Sequence, residues 1–344
     1  MDASLSYPLG TPAAGGFTEV APGVLWIRLP LVGALGHINV WGLVEEGGWT
    51  LVDTGMATPE TITAWEQLLA RAPFDRPLQR VVVTHMHPDH VGMAGWFTRR
   101  FGVQLWMSRL EYMSCRVTAS DTGKQAPEDA LRFYRAAGWD EAQLAAYRER
   151  FGRFGRFIHA MPDSYRRLQD GDTLRMAGSH WQVVGGNGHS PEHASLYCAE
   201  RKLLISGDQV LPRISSNVSV HPMEPEANPM ADWMASLAKM RIRVPADVLV
   251  LPSHNDCFHG LHARLEQLRS GQEEALARLR EGLREARRVV DVFPFLFRRH
   301  IAPADASLLG MATGESVACL NFLLARGEVV RRNEGGVDWY RLAP

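Results

Sequence analysis

From residue 17 to 53 the chain alternates apolar, β-rich runs (FTEV, VLWIRLPLV, HINVWGLVEE, WTLVDTG) with glycine-containing turns such as Glu46-Gly47-Gly48. That pattern predicts an antiparallel β start. The spacing then changes: residues 58–70 (TPETITAWEQLLA) place apolar side chains at helical intervals behind a threonine able to cap, and lead into the β-branched run 80–84. A strand, helix, strand passage after a β-rich opening predicts stacked α and β layers.

Residues 108–167 read differently. Tyr112, Phe133, Tyr134, Trp139, Tyr147, Phe151, Phe154 and Phe157 lie among charged residues, as in an inserted helical cap. Strand patterns return at 172–175, 181–184, 195–197 and 203–206, followed by a helix near 229–239 and a strand at 247–251. Beyond 261 a charge-laced helical run extends to 289. Residues 305–342 then predict two short helices and a hairpin of strands 328–332 and 337–342, joined by Asn333-Glu334-Gly335-Gly336. The expected organisation is a catalytic unit over 1–262, with the insert at about 108–167, and a helical linker with a small winged-helix-like domain over 263–344.

Of the 344 residues 46% are hydrophobic, enough for a substantial core. Thirty-seven basic against thirty-eight acidic residues leave a formal charge of −1, which provides no field for drawing in nucleic acid or an anionic membrane. Cys115, Cys198, Cys257 and Cys319 form no close pair, so neither a disulfide framework nor a zinc ribbon is expected. The opening MDASLSYPLGTPAAGG lacks the charged start and apolar run of a secretion signal. A cytoplasmic protein is the expectation.

The chemistry concentrates in Thr84-His85-Met86-His87-Pro88-Asp89-His90, directly after the apolar strand ending at Val83. A lone histidine would more often be a hydrogen-bonded core group. Four imidazole and carboxylate groups within six residues are costly to bury without a cation, and nitrogen and oxygen donors on short backbone suit divalent metals. No GxSxG elbow and no GxxxxGK[ST] loop is present, so serine nucleophiles and P-loop chemistry are not expected.

This segment resembles the HxHxDH signature of the metallo-β-lactamase superfamily. The resemblance extends, in order, to Asp53-Thr54-Gly55, Gly188-His189-Ser190, Gly207-Asp208 and Leu251-Pro252-Ser253-His254, over roughly residues 17–260. It implies a four-layer αββα sandwich of the α/β (α+β) class. It also implies two divalent metal ions, zinc by default with iron or manganese as alternatives. His85, His87 and His189 would hold the first ion, Asp89, His90 and His254 the second, and Asp208 would bridge both. Asp53 would orient a histidine from outside the ligand set, and Asp89 would also move a proton. Two departures, Asn187 where PGH is usual and Ser253-His254-Asn255 where GHG is usual, alter loops without removing a ligand.

Two ions sharing a water would lower its pKa enough to supply hydroxide at neutral pH. The HSPEH and GDQVL segments and the tail resemble the lactamase-B-like branch related to hydroxyacylglutathione hydrolase. Hydrolysis of a small ester, thioester or lactone leads; a phosphodiesterase or endoribonuclease is the alternative, and a non-catalytic ligand or DNA sensor the third reading. From Ile301 onward four arginines face five acidic residues, so the tail is not expected to grip nucleic acid. It is expected to pack on the catalytic body or on a second copy in a homodimer. His221, in the loop 215–228, is a candidate substrate contact, and His193 a candidate neighbour of the ligands. His37, His159, His180, His259, His262 and His300 are assigned no role.

Overall fold

The computed structural model describes residues 5–302 and 305–344; the first four residues of the N-terminal opening lie outside these. Seven strands pair in chain order in one sheet: β1 (Phe17–Ala21), β2 (Val24–Pro30), β3 (His37–Glu45), β4 (Gly48–Val52), β5 (Leu78–Val82), β6 (Leu105–Ser108) and β7 (Arg166–Leu168). β1 to β4 run antiparallel, and β4 to β7 parallel. The second sheet contains β8 (Thr173–Met176), β9 (Ser179–Gly186), β10 (His193–Cys198), β11 (Leu203–Gly207), β12 (Leu249–Pro252) and β13 (Phe258–His259), in the order β13-β12-β11-β10-β9-β8. Only β11 and β12 are parallel in it. A separate hairpin joins β14 (Val329–Glu334) and β15 (Val337–Leu342). The helices are α1 (Pro59–Leu69), α2 (Pro88–Val91), α3 (Ala94–Phe101), α4 (Arg109–Ser120), α5 (Glu128–Ala136), α6 (Glu141–Arg150), α7 (Pro229–Arg243), α8 (Leu261–Gly282), α9 (Phe293–Leu296) and α10 (Ala306–Ala325).

The period of two sorts each strand between two cores. Val24, Trp26, Trp41, Leu43, Val52 and Val82 face the other sheet, where they meet Trp181, Val183, Leu196, Leu203, Ile205, Leu249 and Leu251. Their alternates Leu25, Ile27, Ile38, Val40 and Val81 face α1, α3 and α4. On the second sheet Val184, Leu204 and Val250 turn outward to α7, α8 and α10. The result is the expected helix, sheet, sheet, helix stack. A slip of one residue in any central strand would exchange its faces, so the apolar pattern also fixes the register in which each strand pairs.

The insert and the tail depart from expectation in instructive ways. Tyr112 and Cys115 of α4 join the helical layer over the first sheet. Leu131, Tyr134, Trp139 and Leu144, from α5, α6 and their connection, pack instead with α10, and Trp139 Nε1 donates to Thr313 Oγ1 at 3.0 Å. These aromatics therefore fasten the insert to the C-terminal helix. The helical run expected to reach residue 289 stops at Gly282, because residues 283–287 exchange helical bonds for β15: Leu342 N donates to Leu283 O, and Arg287 and Tyr340 bond reciprocally at 2.9 and 2.8 Å. The two short helices expected after 305 are one helix of twenty residues, α10. Gly314 does not break it. The missing side chain lets the 214–228 loop approach, with Val220 N donating to Gly314 O at 3.0 Å; an added Cβ would stand 2.8 Å from Ser219 Cβ. The hairpin loop is the pair Gly335-Gly336, shorter than the four residues expected, since Asn333 and Glu334 still pair with Asp338 and Val337.

By length and composition α10 could cross a membrane. Leu309, Val317, Ala318, Leu320 and Leu323 are instead buried in the core over the second sheet, and that burial accounts for its apolar character.

Candidate metal centre

Two pairs of parallel strands end side by side. β4 and β5 deliver Asp53 and the 84–90 loop; β11 and β12 deliver Asp208 and His254. His189 comes from the turn between β9 and β10. Apolar strands locked on both faces hold short polar loops at the edge where the sheets meet, the usual place for a site in a parallel sheet. The entry to Asp208 is sharp: Gly207 has φ +54°, and a Cβ there would lie 2.3 Å from His193 Nε2. Gly207→Ala is expected to lower stability by about 2–4 kcal/mol, combining left-handed strain with overpacking. Urea melts of the metal-free protein would measure this, and an unchanged midpoint would contradict the close approach.

The structure gathers all seven residues. His85, His87 and His189 place ligand atoms within 4.8 Å of one another, as do Asp89, His90 and His254, and as do His85, His90 and Asp208. His85 Nε2 and His87 Nδ1 are 2.9 Å apart; two nitrogens on a tetrahedral zinc stand about 3.3 Å apart. Asp208 lies between the groups. Its Oδ1 is 3.5 Å from His90 Nε2, and its Oδ2 is 3.5 Å from His254 Nε2 and 3.6 Å from His189 Nε2. Asp89 Oδ2 lies 3.3 Å from His254 Nε2.

The opposite ring nitrogens explain why these atoms point inward. His189 Nδ1 donates to Asn217 O at 2.8 Å and His254 Nδ1 to His37 O at 3.1 Å. His90 Nδ1 donates to Asp53 Oδ2 at 2.8 Å. Thr84 Oγ1 gives its proton to Asp53 Oδ2 at 2.8 Å and so accepts from His85 Nδ1 at 3.0 Å. Carbonyl and carboxylate partners only accept, so each of these rings carries a proton on Nδ1, and Nε2 is the atom left to meet a cation. Asp53 thus orients His90 directly and His85 through Thr84. It does so from φ +59°, a strained conformation for a non-glycine residue, held by these bonds and by Thr84 N at 2.8 Å. His90 Nε2, His189 Nε2 and Asp208 Oδ1 are buried and have no hydrogen-bond partner. Buried polar atoms left unpaired around one point fit a bound cation.

The electrostatics agree. Burial, with His90 and other imidazoles adding to it, pushes His85 well below the ordinary histidine pKa, and burial followed by His189 takes His87 to about 3. His90 and His254 go the other way. Burial opposes it, but Asp89, Asp208 and Asp53 hold His90 well above its ordinary value, and Asp208 and Asp89 raise His254 to about 10. Against their own burial, Asp208 is held well below the carboxylate range by His254 and His90, and Asp89 is lowered chiefly by His90. Without metal, protons on His90 and His254 balance two carboxylates; a divalent cation would take over that balance and displace them.

Four neighbours carry more than the sequence reading gave them. His37, assigned no role, supplies its carbonyl to His254 and accepts from Asn255 N at its Nε2, 3.0 Å away. His193 is buried, 5.0 Å from the His85 ring, and accepts from Asp208 N at 3.2 Å. Glu111, overlooked because an acid in a helix's first turn reads as a dipole partner, is buried; it accepts from Met86 N at 2.9 Å and Glu192 N at 2.8 Å. It clips the 84–90 loop to the segment after His189. Asn217, also overlooked, is the acceptor for His189. No local pattern marks a backbone carbonyl for such a role. His221, the candidate substrate contact, keeps an exposed surface, and desolvation of its ring and then the nearby His189 lower its pKa. His180, His259 and His262 bond to Glu200, Val248 O and Val244 O, outside the cluster.

A family model described as the metallo-beta-lactamase superfamily matches residues 33–254, and one described as a metallo-beta-lactamase-like C-terminal domain matches residues 276–343. The crystal structure of a beta-lactamase domain protein from Burkholderia ambifaria is 39% identical, covers 99% of both chains and superposes with a TM-score of 0.89. A probable metallo-hydrolase, YqjP, of Bacillus subtilis (strain 168) is 24% identical over 331 residues, 92% of this chain and 97% of that one. Hydroxyacylglutathione hydrolase GloC of Haemophilus influenzae is 25% identical over 164 residues, 48% of this chain and 62% of its own.

Proposed function

The chain belongs to the metallo-β-lactamase superfamily as one of its metallo-hydrolases, and from that premise we propose that it cleaves a small acyl thioester, ester or lactone with two divalent cations in its site. One observation carries the reading: two triads of ligand atoms share a centre with the Asp208 carboxylate between them. His85, His87 and His189 would hold one cation and Asp89, His90 and His254 the other. An all nitrogen and oxygen donor set suits zinc, iron or manganese, with zinc the default. When bound, such cations lower the pKa of a coordinated water and polarise a carbonyl oxygen.

The chain's own groups do the rest. Asp53, Thr84, Asn217 and His37 keep the imidazoles in one tautomer, so no proton has to be relocated before each turnover. Asp89 is the ligand carboxylate with the most surface, its side chain 15% exposed against 10% for Asp208. It is therefore placed to take a proton from an attacking water and return it to a leaving group. A thioester makes the smallest demand on this single acid, because a thiol of pKa about 8.5 departs as thiolate. The similarity to a hydroxyacylglutathione hydrolase supports the same class.

The test is a hydrolysis screen of metal-loaded protein over acyl-glutathione and acyl-CoA thioesters, aryl esters, lactones and RNA, with His87→Ala as control. Thioester or ester turnover that falls by about 10³-fold in the variant is the expected outcome. Cleavage of RNA alone would replace the reading with a phosphodiesterase of the same fold.

A further inference from the structure

We infer that α10 is a working part of the metal centre, with Glu315 acting as a positioning residue for His189 through Asn217. The inference rests on His189 holding a cation, as proposed above. It also gives the C-terminal module a role that does not depend on a partner.

The connection is a short series of bonds. His189 Nδ1 donates to the backbone carbonyl of Asn217 at 2.8 Å. The Asn217 side chain is held at both ends: Nδ2 donates to Glu315 Oε2 at 2.7 Å, and Oδ1 accepts from Ser219 Oγ. The Glu315 carboxylate only accepts, so the amide turns Nδ2 to it and leaves Oδ1 to the Ser219 hydroxyl, which can donate. Glu315 is the one charged side chain in the twenty residues of α10. An otherwise apolar helix thus carries a single acid, and it meets the residue that fixes a candidate ligand.

The rest of the loop is seated to suit. Val218 and Val220 are buried in the core that contains α10, while the half-buried Asn217 and Ser219 between them meet Glu315 and Gly314 of the same helix. Val220 N bonds Gly314 O, and Asn321 Nδ2 donates to Pro225 O at 3.0 Å and Ala227 O at 2.9 Å. On the other flank Ser216 Oγ donates to Asp208 O. The loop is therefore clamped between α10 and two members of the cluster. Partners that orient a ligand histidine typically change metal affinity by about 10- to 100-fold when removed.

The experiment uses the full-length protein and reads metal affinity, not turnover. Zinc stoichiometry and both dissociation constants are measured by chelator competition for the wild type, Glu315→Ala, Glu315→Gln, Asn217→Ala and the double alanine variant, together with the melting temperature of each metal-free protein. Glu315→Ala and Asn217→Ala are expected to weaken one zinc by about 10- to 100-fold and leave the other within about twofold. Glu315→Gln, which keeps an acceptor oxygen, is expected to restore it. The double variant is expected to be no worse than the poorer single, as for groups acting in one series. If Glu315→Ala does not fold, Asn217→Ala carries the test, since it leaves the backbone carbonyl in place. Two wild-type zinc sites that stay unchanged in Asn217→Ala and Glu315→Ala would overturn this inference alone. Parallel weakening of both zincs together with a fall in metal-free melting temperature would overturn it too, as a general packing defect. A wild type that binds no cation would remove the functional reading and this inference with it.

Discussion

Asp208→Ala is expected to reduce kcat/KM by about 10³-fold or more and to leave fewer than two metal ions bound per chain. The carboxylate stands within 3.5 to 3.6 Å of His90, His189 and His254, ligand candidates from both triads. Its removal takes away the carboxylate that stands between the two candidate sites, so the mutual repulsion of two bound divalent cations would go unscreened in a buried setting. A loss of about 4 kcal/mol of transition-state stabilisation corresponds to about three powers of ten in rate. Asp208→Asn, which keeps the shape and loses the charge, is expected to fall nearly as far. Elemental analysis beside steady-state kinetics checks both statements. A variant holding two metals and more than a tenth of the activity would contradict the bridging role.

The metal-free protein is expected to lose stability steeply as pH falls from 6.5 toward 4. His85 and His193 are buried and His87 is half-buried, and desolvation is the first cause that pushes their pKa values down, His87 to about 3. The unfolded chain binds protons at these three positions below about 6.5, where the folded chain does not. Stability therefore falls with pH through that value, by about 4 kcal/mol per unit once all three unfolded imidazoles are charged. That is comparable with the whole stability of many domains. His254, raised to about 10, has the opposite sign: its contribution is complete below about 6.5 and fades as pH rises through 10. Asp89 and Asp208, both lowered, stabilise above 3.8 and are lost below it. Thermal melts in chelator across pH 4 to 10 should show a steep acid flank and a shallower alkaline one. A flat profile between pH 6.5 and 4.5 would mean the buried imidazoles are not held neutral.

Much of the candidate site was legible because most of its candidate ligands sit at strand ends, where an apolar run gives way to His or Asp. His85, His87, Asp89 and His90 share one loop, and Asp53, Asp208 and His254 each follow a short apolar strand. The auxiliary groups left no comparable mark. Glu111 sits in a helix that reads as part of a cap, Asn217 acts through its main chain, and Glu315 lies 98 positions from Asn217. The same limit applied to the tail. Gly314, which the sequence reading did not single out, is the point where α10 admits a distant loop.

Beyond the αββα class and the seven-ligand set that the resemblance to the superfamily implied, the amino-acid order by itself determined stacked α and β layers, through the two-residue period of its strands, and the cluster His85, His87, Asp89 and His90, through residue type and spacing. Both are properties of short windows, where pleat geometry and donor chemistry act over a few residues. Only the tertiary structure decided which nitrogen each imidazole offers, which carboxylate stands between the triads, and that the C-terminal helix reaches the centre. Those depend on hydrogen bonds between positions far apart in the chain, and such bonds exist only once the cores on both faces of the sheets have closed.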